Sequence, residues 1–216
     1  MLLRPRQKLF VERSLAALSA RDNTLGVAPT GAGKTIMLSA VTGRMTGDGA
    51  KACVLAHRDE LTSQNRAKFA RVNPDMETSV VDATTKSWNG QVTFAMAPTL
   101  SRAANLQAMP KLDLLVIDEA HHAVAESYRR IIDRVRDANP EARVFGVTAT
   151  PNRGDRKGLR EVFDNVADQV RLGELIASGH LVPPRTFVID VGVHDQLRAV
   201  RKTADGASQA KDAVSA

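Results

Sequence analysis

The sequence predicts an α/β fold, a mostly parallel sheet with helices on both faces. Three observations carry this. Short apolar runs alternate with helical patterns along most of the chain, the signature of strand–helix–strand units, and right-handed crossovers put the helices of such units on both faces. The run Thr24 to Val27 meets a glycine-rich turn and then a helical pattern with Met37, Ala40, Val41 and Arg44–Met45 on or near one face. The run Leu112 to Ile117, apolar apart from Asp113, reads as a buried strand that leads into two carboxylates, Asp118 and Glu119.

The elements follow in order. Pro5 suits the first turn of a helix running to about Ala20, with Phe10, Val11, Leu15 and Leu18 inward. After the glycine-rich turn and its helix, Gly47-Asp48-Gly49 is a turn and residues 51–56 a second apolar strand. His57-Arg58-Asp59 leads into a helix to about Val72, with Leu61 and Phe69 inward, stopped by Asn73-Pro74. Residues 78–82 read as a short strand, Asn89-Gly90 as a turn and Val92 to Met96 as a strand. Pro98 opens a helix through about Leu106. Tyr128, Ile131, Ile132 and Val135 give a helix whose arginine-rich other face (Arg129, Arg130, Arg134, Arg136) reads as solvated surface. Val144 to Val147 is a strand. A basic loop (Arg153, Arg156, Lys157), an amphipathic segment to Phe163, a helix near Gly173–Ser178 and a last strand, Phe187 to Val191, follow. From Gly192 bulky apolar residues thin out, so residues 1–191 read as one domain and 192–216 as a linker or disordered tail.

The 216 residues suffice for one domain with a full core. The net charge of +6 favours a polyanionic partner. One cysteine, Cys53, sits in an apolar run and reads as buried; no intrachain disulfide is possible. No apolar run reaches the ~18 residues a membrane span needs, and Met1-Leu2-Leu3-Arg4-Pro5 lacks a signal core. A cytoplasmic protein with no membrane partner is expected.

The stretch Ala28-Pro29-Thr30-Gly31-Ala32-Gly33-Lys34-Thr35, between strand and helix, has the context of a phosphate-binding loop. Its glycines let N–H groups converge on an anion, and the helix N-terminus adds partial positive charge. Lys34 supplies a point charge for the β and γ phosphates, and the Thr35 hydroxyl suits Mg²⁺. Ligands of open α/β sheets sit at the carboxyl ends of strands. Asp118 is thus expected to hold Mg²⁺ opposite Thr35, and Glu119 to orient and deprotonate the attacking water.

At Asp118-Glu119-Ala120-His121 the chain resembles superfamily 2 helicases and translocases of the DEAD/DEAH type. The resemblance covers residues 4–190 and implies a RecA-like P-loop domain that binds ATP with Mg²⁺. Ala28 is normal in that family's loop. Arg4-Pro5-Arg6-Gln7 resembles the motif whose glutamine reads adenine, which assigns Gln7 and Arg4 to the nucleotide. Val54 to Leu61 resembles the motif that grips a strand's phosphates through His57 and Arg58. Ala97-Pro98-Thr99-Leu100 stands loosely where a second strand-binding motif is expected, with Thr99 as the contact. Thr148-Ala149-Thr150-Pro151, with Arg153, matches the motif that couples hydrolysis to movement, and His121 would link Glu119 to Thr148 and Thr150. His122 and His180 read as structural. Gly158-Leu159 and Gly179-His180-Leu181-Val182 look like the branch with restriction-enzyme translocase subunits and phage helicases.

The resemblance implies a nucleic-acid partner, DNA favoured over RNA, and a second RecA-like lobe in a longer chain or another subunit. That lobe supplies an arginine finger, worth on the order of 10³–10⁵ in rate. The chain would then be the ATP-binding first lobe of a nucleic-acid-dependent ATPase, slow by itself. The alternative is a single-lobe nucleotide-binding module that binds nucleic acid or a partner protein without motor activity.

Overall fold

The computed structural model describes residues 2–20, 23–47, 49–151 and 158–183. Two compact units divide the chain, residues 1–181 and 182–216, and all the described helices and strands belong to the first. The expected basic loop (Arg153, Arg156, Lys157), the strand Phe187 to Val191 and the tail from residue 192 lie outside the described residues, as does Asp48.

Helix α1 (Pro5–Ala20) precedes β1 (Asn23–Val27), α2 (Lys34–Met45), β2 (Ala52–Ala56), α3 (Asp59–Val72) and β3 (Thr78–Val81). Then come β4 (Val92–Met96), α4 (Ala97–Leu100), α5 (Ala103–Gln107), β5 (Leu114–Asp118), a 3-10 turn (Ala120–His122) and α6 (Glu126–Ala138). β6 (Arg143–Thr148), a second 3-10 turn (Leu159–Glu161), β7 (Asn165–Gln169) and α7 (Leu172–Ala177) complete the unit. The strands form one sheet in the order β3-β4-β2-β5-β6-β1-β7, and every neighbouring pair is parallel.

A parallel sheet must be covered on both faces, and two apolar clusters do this. Phe10, Met37, Leu38, Val41 and Phe69 of α1, α2 and α3 pack with Val54, Val116 and Phe145. Tyr128, Ile131, Ile132 and Val135 of α6 pack with Leu25, Leu55, Leu115 and Ile117. Alternate residues of one strand serve opposite clusters, which is why these strands read as continuous apolar runs. The register aligns the carboxyl ends that matter: Val27 pairs with Thr148, Asp118 with Val147 and Ala56 with Met96. The crossover from β1 runs over one face and that from β5 over the other, so a crevice opens between their ends.

The expected parallel α/β sheet is present, and three expectations change. Residues 165–169 form β7, an edge strand whose mixed burial hides a period-2 signal. The expected helix from Pro98 to Leu106 breaks at Ser101-Arg102 into α4 and α5. On α3 the inward positions besides Phe69 are Thr62 and Asn65, with Leu61 only half-buried. The latter follows from what α3 faces: a carboxylate at the end of β5, which needs a hydrogen-bond donor rather than a methyl group.

Candidate functional site

The loop between β1 and α2 is pinned at its start, where Ala28 N donates to Thr148 O at 3.0 Å. Gly31 and Gly33 both have φ of 86°, which a side chain would strain. A Cβ at Gly33 would also come within 2.4 Å of Gln7 Nε2. Gly33 is the N-cap of α2 and no side chain caps the helix, so its first N–H groups remain for an anion. Lys34 and Thr35 open the helix. Pro29, Thr30 and Ala32 shape the turn, with Ala32 N donating to Pro29 O at 3.2 Å.

Gln7 braces the loop from behind. It is 8% exposed; its Nε2 donates to Ala32 O at 3.0 Å and its Oε1 accepts from Arg4 N at 3.1 Å. Arg4, Gln7, Ala32 and His180 line a narrow pocket beside the loop with space of about 10 Å³, room for no more than about one water. Arg6 also borders this pocket, with its guanidinium bound at the sheet edge. It pairs with Asp168 of β7 and with Glu174 of α7 (2.8 Å), and Arg13 adds a bond to Asp168 at 2.9 Å. Burial pushes the Asp168 carboxyl up, but the two arginines outweigh it and hold it below the usual carboxylate range. This network fixes α1, and with it Gln7, against the edge of the sheet.

Across the crevice, β5 delivers Asp118, 7% exposed. Its Oδ2 accepts from Asn65 Nδ2 at 2.8 Å and its Oδ1 from Glu119 N at 3.0 Å. Burial raises the Asp118 carboxyl above its usual range and the neighbouring Glu119 adds to this; Asn65, the Glu119 N–H and Lys34 oppose it without cancelling it. Glu119 has φ 51° and ψ 56°, the only described non-glycine residue with positive φ. Such a conformation costs on the order of 1–3 kcal/mol and is held where the surroundings demand it. Here it turns the Glu119 side chain into the crevice. Oε1 lies 3.5 Å from Lys34 Nζ and Oε2 3.3 Å from His121 Nδ1. His121 Nδ1 is in turn 3.3 Å from Thr148 Oγ1, which accepts from Thr150 N at 3.2 Å. Lys34, Glu119, His121, Thr148 and Thr150 thus form one chain of contacts across three neighbouring strand ends.

His57 and Arg58 follow β2 and are exposed. Thr99 follows β4, next to β2 in the sheet, and is 3% exposed. His57 and Arg58 are therefore the exposed members of the expected strand-gripping set. Asn65, which sequence reading passed over, bonds Asp118, and His122, read as structural, stacks on His57 and lies near parallel to Tyr128 of the α6 core stripe. Asn65 carried a signal, a polar residue on an inward helical stripe; the stacking carried none. Arg129 and Arg134 of α6 pair with Glu161 and with the carbonyls of Leu106 and Met109, so part of the arginine face is structural.

The arrangement offers an anion cradle, a lysine, two carboxylates of unequal burial and a histidine–threonine bridge. No described helix is long and apolar enough to cross a membrane.

The model of the family described as Type III restriction enzyme, res subunit, matches residues 1–153. IRC3 of Saccharomyces cerevisiae is 28% identical over 218 residues, covering 94% of this chain and 31% of that protein. The ATP-dependent DNA helicase MPH1 of Pyricularia oryzae is 31% identical over 160 residues, covering 67% of this chain and 14% of its own. The chain thus spans less than a third of the length of either relative. Among solved structures, a nuclease-deletion mutant of the Type ISP restriction–modification enzyme LlaGI, in complex with a DNA substrate mimic, superposes with a TM-score of 0.67 at 15% identity. That match covers 83% of this chain and 21% of LlaGI, and establishes a shared fold.

Proposed function

Because the chain belongs to the family of Type III restriction enzyme res subunits, we propose that it is the ATP-binding first lobe of a nucleic-acid-dependent ATPase, a helicase or translocase. The observation that carries this reading is the contact chain from Lys34 through Glu119 and His121 to Thr148. A site without turnover has no need of a strained glutamate aimed at the phosphate lysine.

In this reading the loop from Pro29 to Thr35 cradles the triphosphate and Lys34 holds its β and γ phosphates. Arg4 and Gln7 meet the adenine, which requires the narrow pocket beside Gln7 to open. Glu119 orients the attacking water and accepts its proton. Thr35 and Asp118 would hold Mg²⁺. Asp118 fits this role, since it is a buried carboxylate whose N–H donors leave its charge undercompensated, and hard cations take such oxygens. When bound, Mg²⁺ neutralises charge on the phosphate oxygens. His121 with Thr148 and Thr150 relays the state of Glu119 to the end of β6. His57 and Arg58, with Thr99 behind them, grip a nucleic-acid strand by its phosphates, DNA favoured over RNA. A second RecA-like lobe, in a longer chain or another subunit, completes the site and makes hydrolysis fast; this lobe alone turns over slowly. The buried, solitary Cys53 suits a reducing cytoplasmic compartment.

Equilibrium titration with a fluorescent ATP analogue and Mg²⁺ tests the nucleotide half. The chain binds it, and Lys34→Ala weakens binding by about 10- to 100-fold. Equal affinity in the variant overturns the assignment.

A further inference from the structure

The contact chain at the nucleotide site has a branch. His122, the last residue of the 3-10 turn after Glu119, stacks face to face on His57: ring centroids are 4.7 Å apart and the planes 15° from parallel. It also lies near parallel to Tyr128, at 6.2 Å and 17°. His121, which touches Glu119, lies 4.2 Å from His122. Tyr128 is 1% exposed and its hydroxyl has no hydrogen-bond partner. Burial, and then the Asp118 charge, hold the Tyr128 phenol above its ordinary value, so this ring lies within the field of the buried carboxylate. His57 is the exposed end of the row and stands beside Arg58. The row therefore runs from the carboxylates of the crevice to the surface where a strand is expected.

We propose that His122 is a positioning residue that couples occupation of the nucleotide site to the grip of His57 and Arg58 on a nucleic-acid strand. The inference rests on the function proposed above. Its physical content is a turn with two states. Lys34 Nζ lies 3.5 Å from Glu119 Oε1, and Glu119 has the left-handed backbone conformation. A bound triphosphate competes for the Lys34 ammonium and so changes what Glu119 is paired with. His122 N donates to Glu119 O at 3.0 Å, so a shift at Glu119 moves His122 directly. A ring stacked flat on another at 4.7 Å does not tilt alone; His57 follows. Such a link is reciprocal, so a bound strand changes nucleotide affinity by the same factor.

The test is the affinity of the chain for a fluorescent single-stranded oligonucleotide, with and without a non-hydrolysable ATP analogue and Mg²⁺. The wild-type chain should change affinity by about fivefold or more when the analogue is present. His122→Ala should bring that factor to near one, while His122→Phe, which keeps a flat ring, should retain most of it. His57→Ala, at an exposed position, reads the same loss of coupling should His122→Ala not fold. A wild-type chain that binds neither ligand refutes the parent function. A wild-type chain that binds both without coupling overturns the inference alone. So does a full factor in His122→Ala or His57→Ala, or loss in both His122 variants.

Discussion

Lys34 Nζ lies 3.5 Å from Oε1 of Glu119: under the proposed function, the cation assigned to phosphate pairs with the carboxylate assigned to water, and nucleotide competes for that cation. Glu119→Gln weakens the pair at no cost in shape. ATP affinity should hold or rise by a few-fold, while turnover falls by about 10² or more, the usual worth of a general base. Equilibrium binding and single-turnover hydrolysis of the same variant check both halves. Retained turnover shows that another group takes the proton.

Gln7 spends one N–H on Ala32 O and one lone pair on Arg4 N, which leaves one of each for a base edge. Gln7→Ala should therefore act twice. It should cost about 1–3 kcal/mol of stability by stranding a buried carbonyl, read as a lower urea midpoint. ATP affinity should also fall by a larger factor than affinity for inorganic tripolyphosphate, which has no base. Equal losses for the two ligands restrict Gln7 to bracing the loop.

The Asp118 carboxyl is raised mainly by burial. A group whose folded pKa exceeds its unfolded value of ~3.9 costs stability above the folded pKa and nothing below the unfolded one. Asp118→Asn, with the Asn65 amide free to turn and accept, should raise the urea midpoint at neutral pH. The gain should shrink as pH falls through the acid range toward ~3.9. A gain independent of pH points to packing rather than charge.

Arg58 is exposed at the start of α3. As a phosphate contact it should contribute counterion release and no base preference. Arg58→Ala should weaken single-strand binding evenly across sequences and reduce the salt slope of log K by about 1. An unchanged slope removes it from the interface.

The apolar strands and the α6 stripe were legible because burial on one or two faces imposes a period on the sequence, and Tyr128, Ile131, Ile132 and Val135 point inward as that period demands. Lys34 and Glu119 stood out because phosphate chemistry ties residue type to a strand end or a glycine-rich turn, and His121, Thr148 and Thr150 through the family resemblance; the structure brings all five into one chain of contacts. What stayed hidden has no such period. Strand β7 alternates buried and exposed positions irregularly at the sheet edge. Asn65 lies on the inward stripe of α3, but its partner Asp118 is 53 residues away and only the fold places it opposite. The stack of His57 on His122 joins residues far apart in sequence. Arg6 sat inside the expected adenine motif, yet its guanidinium is committed to Asp168 and Glu174.

The central claim is that this lobe works as half of a nucleic-acid-driven ATPase. Its most direct test is the rate of ATP hydrolysis, with and without single-stranded and duplex DNA, for the chain alone and joined to a cognate second lobe. The predicted result is slow turnover by the chain alone. The joined form should be faster by on the order of 10³ or more, as an arginine finger allows, and DNA should stimulate it further. Equal rates in both forms, with no response to nucleic acid, would contradict the claim.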